Sequence, residues 1–170
     1  MSKINIVNII GDHTATLKHE HSGKVSVPDF FLFYGLSILL GGVLVYLEIV
    51  PNKDIVGVLV TSFSVFAALL FNLLLLVYDI VRKANDTEKL PQLKARFLKE
   101  LYSNIAYAIL VSLIVIILLV TFYMADGHKK TQASLGFFLY SLSAHFVLTL
   151  LLILKRVHTL LSKEFDQSLH

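Results

Sequence analysis

Four long blocks of apolar residues constrain this chain more than any other feature of its sequence. The blocks cover residues 30–50, 55–81, 102–125 and 135–154. Each has about the 20 residues that a helix needs to cross roughly 30 Å of hydrocarbon. In lipid, only a helix can satisfy the hydrogen bonds of its own backbone without water or a neighbouring strand. The sequence therefore predicts an all-α membrane protein, with a bundle of four transmembrane helices within residues 29–156.

Composition supports this class. Hydrophobic residues make up 56% of the chain and charged residues 16%, against about 45–50% and about 25% in soluble domains. The net charge is +3, but the basic residues collect beside the ends of the apolar blocks. That distribution is typical of contacts with lipid headgroups and not with nucleic acid. The absence of cysteine excludes disulfides, thiol catalysis and cysteine-bound zinc.

The distribution of lysine and arginine predicts the orientation of the bundle. Twelve of these residues lie in residues 1–28, in the loop 82–101 or after residue 154, and three lie in the two remaining connections. Basic residues accumulate on the cytoplasmic side of membrane proteins. We therefore expect a multi-pass protein with both termini in the cytoplasm and the bilayer as its first partner.

Three stretches are expected in the cytoplasm. Residues 1–28 alternate partly in hydrophobicity and contain a turn-like Gly11-Asp12, which is the pattern of a small β-hairpin over residues 4–17. The loop 82–101 is expected to become helical at Pro91 and to run into the third span. The tail, residues 157–170, extends the fourth span. These stretches provide a surface for a cytoplasmic protein partner or simply a solvated face.

Two polar side chains fall in the middle of apolar blocks. Asn72 lies ten residues before Arg82, and His145 lies ten residues before Lys155. The helical rise places both about 15 Å from the same membrane surface, so they are expected to meet as a midplane polar pair. Such a pair either holds two helices together or lines a proton-sensitive, water-filled site in which His145 titrates.

Other polar residues lie close to the ends of the spans. Asp79 and Asn104 are expected at the inner interface, where local pairing and capping explain them, and Glu48 at the outer interface, where it reaches water. The loop between the second and third spans is basic through Arg82, Lys83, Lys94, Arg96 and Lys99.

Small residues line the second span at helical spacing, at Gly57, Thr61, Ser64 and Ala68. Such spacing favours close helix packing. The sequence leaves open whether the partner helix belongs to the same chain or to another copy.

A second group of polar residues lies in the N-terminal region and comprises His13, His19, Glu20 and His21. A metal site would require converging ligands, and solvent-exposed histidines are the preferred interpretation. The chain also has no phosphate-binding loop, nucleophile elbow or zincin motif. We therefore expect no metal, no cofactor and no catalysis.

The stretch from Val60 to Lys83 is followed by a basic loop, a third span, and a fourth span with a charged tail. In this order of its features, the chain resembles the RexB-like family. These are small membrane proteins of phage-exclusion systems. Ser64-Val65-Phe66-Ala67-Ala68-Leu69-Leu70 and Ala144-His145-Phe146-Val147-Leu148 are similar to that family. The resemblance implies an inner-membrane effector of bacteria that depolarises the cell during phage defence, and it transfers no functional residue.

Two hypotheses follow. The first is a homo-oligomeric effector that forms a pore, because four helices fill their own interior and a path must then run between copies. The alternative is a non-conducting anchor or sensor that docks a cytoplasmic protein.

Overall fold

The computed structural model describes residues 6–16, 31–87, 91–125 and 128–168 of the chain. The described part is helical. Its elements are α1 (Ile6–Thr16), a π-helical turn (Phe31–Gly35) that leads into α2 (Leu36–Tyr46), α3 (Lys53–Thr87), α4 (Gln92–Met124) and α5 (Lys129–Ser168).

Within the described ranges, three helices carry stretches long and apolar enough to cross a membrane. These stretches are Lys53–Ala84, Lys94–Met124 and Lys129–Ser162, with 32, 31 and 34 residues. Many of their large apolar side chains are exposed, including Val58, Leu69 and Ile117. Exposed apolar surface on this scale is unfavourable in water and favourable in lipid. The chain is a helical membrane protein.

The first predicted span, residues 30–50, differs from this picture. Its helix covers Phe31–Tyr46, which corresponds to about 24 Å at the rise of an α-helix and falls short of about 30 Å of hydrocarbon. The helix ends early because Glu48 adopts a positive φ of 54°. The Glu48 amide then donates to the Val45 carbonyl at 3.0 Å, and the Ile49 amide to the Leu44 carbonyl at 3.1 Å, which is a Schellman termination.

The long helices continue beyond the predicted spans. α3 extends from residue 81 to Thr87, and α5 starts at Lys129 and continues to Ser168. α4 begins at Gln92, directly after Pro91, and runs without interruption into its apolar part. We call the end of the bundle where α3 ends, α4 begins and α5 ends the basic end. Arg82, Lys83, Arg96, Lys99 and Arg156 lie there.

The predicted β-hairpin is wrong within the described residues, because residues 6–16 form α1 and that part of the chain contains no strand. The remaining hairpin positions, 4, 5 and 17, lie outside the described residues. Ile9, His13 and Thr16 follow one another at spacings of four and three and face the bundle, with His13 fully buried. This helical period, stabilised by packing on α4, replaces the partial alternation on which the hairpin rested.

α4 is the central helix and packs against α1, α3 and α5, while α2 packs against α5. The core side of α3 repeats every seven residues with Val56, Phe63, Leu70 and Val77. Residues of α4 such as Ile105, Val115 and Leu119 are fully buried. Side chains therefore fill the interior of the bundle, as expected for four packed helices.

Candidate functional site

His145 lies at the centre of a buried polar network. Its Nδ1 is 3.1 Å from the Phe33 carbonyl oxygen, and its Nε2 is 2.8 Å from the Tyr107 hydroxyl. A carbonyl only accepts, so Nδ1 carries the proton and donates to Phe33. In the neutral ring, Nε2 then accepts from the Tyr107 hydroxyl. His145 thereby connects α5 to α4 and to the π-helical turn before α2.

The Tyr34 side chain closes this part of the network. Its ring lies 5.0 Å from that of His145 at an interplanar angle of 30°, and its hydroxyl is hydrogen-bonded to Tyr107. Because the Tyr107 proton is directed to His145, the Tyr34 hydroxyl is the donor of that bond. The order of donors therefore runs from Tyr34 through Tyr107 and His145 to the Phe33 carbonyl.

α1 contributes a second histidine. The Nδ1–H of His13 donates to the Asn104 Oδ1 at 2.8 Å, and the Thr16 hydroxyl donates to the His13 carbonyl and to the same Asn104 oxygen at 2.7 and 2.9 Å. The His13 ring stacks on Tyr107. Both His13 and Asn104 have 0% exposure. Helical spacing explains the arrangement, because Asn104 and Tyr107 are three residues apart on α4, as are His13 and Thr16 on α1.

Burial controls the charge of His13. Loss of hydration lowers the pKa of His13 from 6.5 to about 4, against the opposing effect of its hydrogen bond to Asn104. The positive charge of Arg156 and the neighbouring His145 act in the same direction as burial. His13 is therefore neutral at pH 7, consistent with an Nδ1–H donor and an unprotonated Nε2.

An ion pair closes the network at the basic end. The Arg156 Nη1 donates to Glu100 Oε2, and the Arg156 Nη2 donates to the Thr16 carbonyl at 3.0 Å. Glu100 also accepts from Arg96 Nε at 3.2 Å. The Thr16 carbonyl lies at the C-terminal end of α1, where a cation is favoured by the helix dipole. Arg156 thus holds the end of α1 and α4 together.

These contacts give the position of α1 along the bundle. Thr16 lies at the level of Asn104 and Arg156, whereas His13 lies at the level of Tyr107, with its ring 6.2 Å from that of His145. The π-helical turn before α2 starts at this same level, since Phe33 bonds to His145. α1 therefore covers the α4–α5 face between the basic end and His145, and α2 covers the part beyond it.

The predicted pairing of Asn72 with His145 is wrong. Asn72 is exposed on α3, and both ring nitrogens of His145 bond to other groups. The helical rise predicts the depth of Asn72 along α3 but not the side of α3 on which its side chain lies. His145 instead pairs with a tyrosine of α4 and a backbone carbonyl.

Asn72 belongs to a row of exposed small and polar residues that we call the α3 stripe. Its members are Asp54, Gly57, Thr61, Ser64, Ala68, Asn72 and Asp79. At 3.6 residues per turn they fall within an arc of about 80°, on the side of α3 away from the buried Val56, Phe63, Leu70 and Val77. The hydroxyls of Thr61 and Ser64 bond back to carbonyls of their own helix.

The other predicted residues lie in several places. Asn104 is fully buried beneath α1 and does not cap a helix, and Asp79 is exposed on the α3 stripe. Glu48 lines an open cavity of about 330 Å³ at the end opposite the basic end, together with Lys129 and Tyr140. The residues of the predicted basic loop lie on helical extensions, with Arg82, Lys83, Arg96 and Lys99 exposed and Lys94 half-buried.

The preferred interpretation of His13 as a solvent-exposed histidine is wrong, because α1 buries it against α4. His19, Glu20 and His21 lie outside the described residues. Within the described ranges, no group of three His, Cys, Asp or Glu side chains is placed to hold a metal ion.

Sequence reasoning also missed the Glu100–Arg156 pair and the part played by Tyr34. The spacing of Ile9, His13 and Thr16 was the available signal for a helix that buries a histidine. Among the described residues, the network joins α1, the π-helical turn, α4 and α5 through hydrogen bonds and through the ion pair of Glu100 with Arg156. Comparison of the chain with family models, with curated proteins and with solved structures gave no match in any of the three.

Proposed function

We propose that this protein is a membrane effector that self-associates through the α3 stripe and conducts ions along a path between its copies. The observation that carries the proposal is the exposure of the stripe along an apolar spanning helix. In lipid, an exposed amide such as that of Asn72 favours a polar partner. Small residues such as Gly57 and Ala68 allow a second helix to approach closely.

The packing of the protomer supports a path between copies. The interior of the bundle is filled by large side chains, including Leu119, Leu139 and Phe146, which leaves little room for water within one protomer. The stripe has acidic residues at its two ends, Asp54 and Asp79. Rings of carboxylates favour cations, so the proposed path is cation-selective.

Ion flux from proteoliposomes tests the proposal with matched variants. A Cβ at Gly57 would meet nothing within 4 Å in the protomer, so Gly57→Leu leaves the fold intact and blocks only a neighbouring copy. We expect Gly57→Leu and Asn72→Leu to lower both self-association and flux at least tenfold. Val58→Leu is the control, because Val58 is exposed at the same depth but lies off the stripe.

Flux from a demonstrated monomer would refute the proposal, as would equal flux for Gly57→Leu and Val58→Leu. Selectivity gives a further test, since Asp79→Asn should reduce the preference for cations over anions without preventing assembly.

The cellular setting is part of the proposal. The bias of twelve lysine and arginine residues against three supports an orientation with both termini in the cytoplasm. The resemblance to the RexB-like family supports an inner-membrane effector in phage defence. A reporter fused after His170 should be active in the cytoplasm, and a periplasmic reporter signal would reject this topology.

A non-conducting anchor is the second candidate. The observation that favours it is the continuation of α5 to Ser168 with Leu161 and Phe165 exposed at 50% and 66%, because apolar side chains on a solvated helix suit a protein partner. Absence of flux across voltage and pH, with loss of a co-purifying soluble protein on Leu161→Glu, would favour this candidate over the first.

A further inference from the structure

α1 covers a polar surface of the bundle. Beneath it lie Asn104 at 0% exposure, Tyr107 at 8% and His145 at 4%, and the Arg156 side chain lies at the basic end with 13% exposure. A helix that covers its neighbours permanently is stabilised best by an apolar surface, because buried polar groups cost free energy unless all of them are paired. The surface beneath α1 is instead one that water could solvate.

Pairing within this surface is incomplete. Among the described residues, neither the Nε2 of His13 nor the Nδ2 of Asn104 has a hydrogen-bond partner, although both atoms are buried. Leaving a buried donor or acceptor unpaired opposes docking, and hydration of the same atoms after undocking favours release. The docked state of α1 is therefore held by a small difference between opposing contributions.

The contacts of α1 are confined to one side of the helix. Ile9, His13 and Thr16 face the bundle, whereas Ile6, Val7 and Ile10 are exposed. α1 packs on α4 alone among the long helices, and its connections to α5 are the Arg156 hydrogen bond to Thr16 and the ring contact with His145. A segment that is held by so few contacts is expected to open locally before the bundle unfolds.

We propose that the α4–α5 groove between Arg156 and His145 is a docking surface for α1, and that α1 acts as a removable plug whose release opens a water-filled vestibule from the basic end to His145. α2 does not close this vestibule, because the π-helical turn before it begins only at the level of His145. Among the described residues, the groups that face the plug are Glu100, Asn104 and Tyr107 of α4 and His145 and Arg156 of α5. Arg96, Lys99 and Ser103 of α4 also line the open cavity beside α1. The proposal concerns access of water and does not depend on ion conduction.

Thiol labelling tests the plug, since the chain contains no cysteine of its own. Ser103 is buried at 6% and lines the cavity between α1 and α4 with Ala15 and Thr16, so Ser103→Cys reports on release. A water-soluble charged maleimide is added to the full chain in lipid nanodiscs, where both faces are accessible. Lys99→Cys, an exposed position one turn away, gives the rate for an open site.

His13→Ala is the releasing variant, and Thr14→Ala is its control, because among the described residues the Thr14 hydroxyl bonds only to the Gly11 carbonyl of its own helix. With α1 otherwise unchanged, we expect the thiol of Ser103→Cys to react at least tenfold more slowly than that of Lys99→Cys. His13→Ala should bring the two rates to within about threefold of each other, and Thr14→Ala should leave them unchanged. The proposal would be overturned if Ser103→Cys reacted as fast as Lys99→Cys from the start, or equally slowly in both α1 variants.

A second measurement guards against misfolding of His13→Ala. Ala15→Cys and Lys99→Cys line one cavity, and a short cleavable bismaleimide between them fixes α1 in place without changing His13. With Ser103 left as serine, deuterium labelling of the α4 backbone around it, measured by mass spectrometry, should fall further after cross-linking and should recover on cleavage. A labelling rate that does not change on cross-linking would contradict the plug even if His13→Ala were unfolded.

Discussion

The imidazole of His13 lies flat against the phenol ring of Tyr107, with 3.8 Å between the ring centroids and 4° between the planes. The two residues belong to an N-terminal helix and to the central helix of the bundle. The same phenol gives its hydroxyl proton to His145. Tyr107 therefore connects the docking of α1 to the position of α5 through two different interactions, a ring contact and a hydrogen bond, which substitution can separate.

Tyr107→Phe removes the hydrogen bond and keeps the ring contact. His145 Nε2 would then be buried without its donor, which costs about 1–3 kcal/mol. We expect a corresponding loss of stability in equilibrium unfolding of the bundle in mixed micelles, with α1 still docked. Tyr102→Phe on the same helix is the control, because Tyr102 is exposed at 48%. Equal stability of the two variants would show that the bond to His145 contributes nothing.

The long helices could be predicted from the sequence because their apolar blocks exceed any length that a soluble fold of this size could bury. His145 could be predicted as a buried polar group for the same reason. Its partner could not, since the helical rise gives depth along a helix but not the direction of a side chain around it. Depth alone therefore predicts a pair between Asn72 and His145, although Asn72 points away from the bundle.

The errors at the N-terminus have a different cause. α1 is only 11 residues long, and isolated helices of that length are marginal. The bond of His13 to Asn104 joins residues 91 positions apart in the chain, so local propensity carries no information about it. The early end of α2 is equally hidden, because a residue in the left-handed region at a helix end is usually glycine and here is Glu48.

Gly41 is required by the crossing of α2 and α5. A Cβ there would overlap the Ser141 hydroxyl and lie 2.9 Å from the Phe137 carbonyl oxygen. The carbonyl belongs to the backbone of α5 and cannot rotate away. Gly41→Ala should therefore destabilise the protein by about 1–3 kcal/mol.

Gly42→Ala is the matched control, since a Cβ at Gly42 would meet nothing within 4 Å. It should be neutral or slightly stabilising because alanine favours a helix more than glycine does. Equilibrium unfolding with an increasing concentration of a denaturing detergent compares the stabilities of the two variants. The assigned crossing would be rejected if Gly41→Ala proved as stable as Gly42→Ala.

Glu48 holds a backbone conformation that disfavours side chains. At φ 54° the Cβ approaches the following carbonyl, at a cost of roughly 1–2 kcal/mol. Glu48→Gly should thus raise stability by about 1 kcal/mol. Glu48→Ala removes the carboxylate but keeps the Cβ, so it should give no such gain. Equal thermal stability of the glycine and alanine variants in nanodiscs would contradict backbone strain as the cause.

Acidification should release α1 through His13. Its pKa is about 4 when docked and 6.5 when free, so docking favours the neutral ring. The stabilisation is complete above pH 6.5 and is lost as the pH falls toward 4. By linkage, a change from about pH 7.5 to about pH 5.5 weakens docking about tenfold, while staying above the range in which ordinary carboxyl groups titrate.

The distance between spin labels at Gly11→Cys and Leu154→Cys measures this release without a pH-dependent chemical step. Both positions are exposed, so the labels leave the network intact. In the otherwise unchanged chain, we expect a smaller fraction of molecules to show the distance of the docked state at about pH 5.5 than at about pH 7.5. It should stay constant in His13→Gln, whose amide does not titrate. Because His13→Gln retains His145 and Arg156, an undiminished pH response in that variant would assign the titration to another group and remove His13 from the switch.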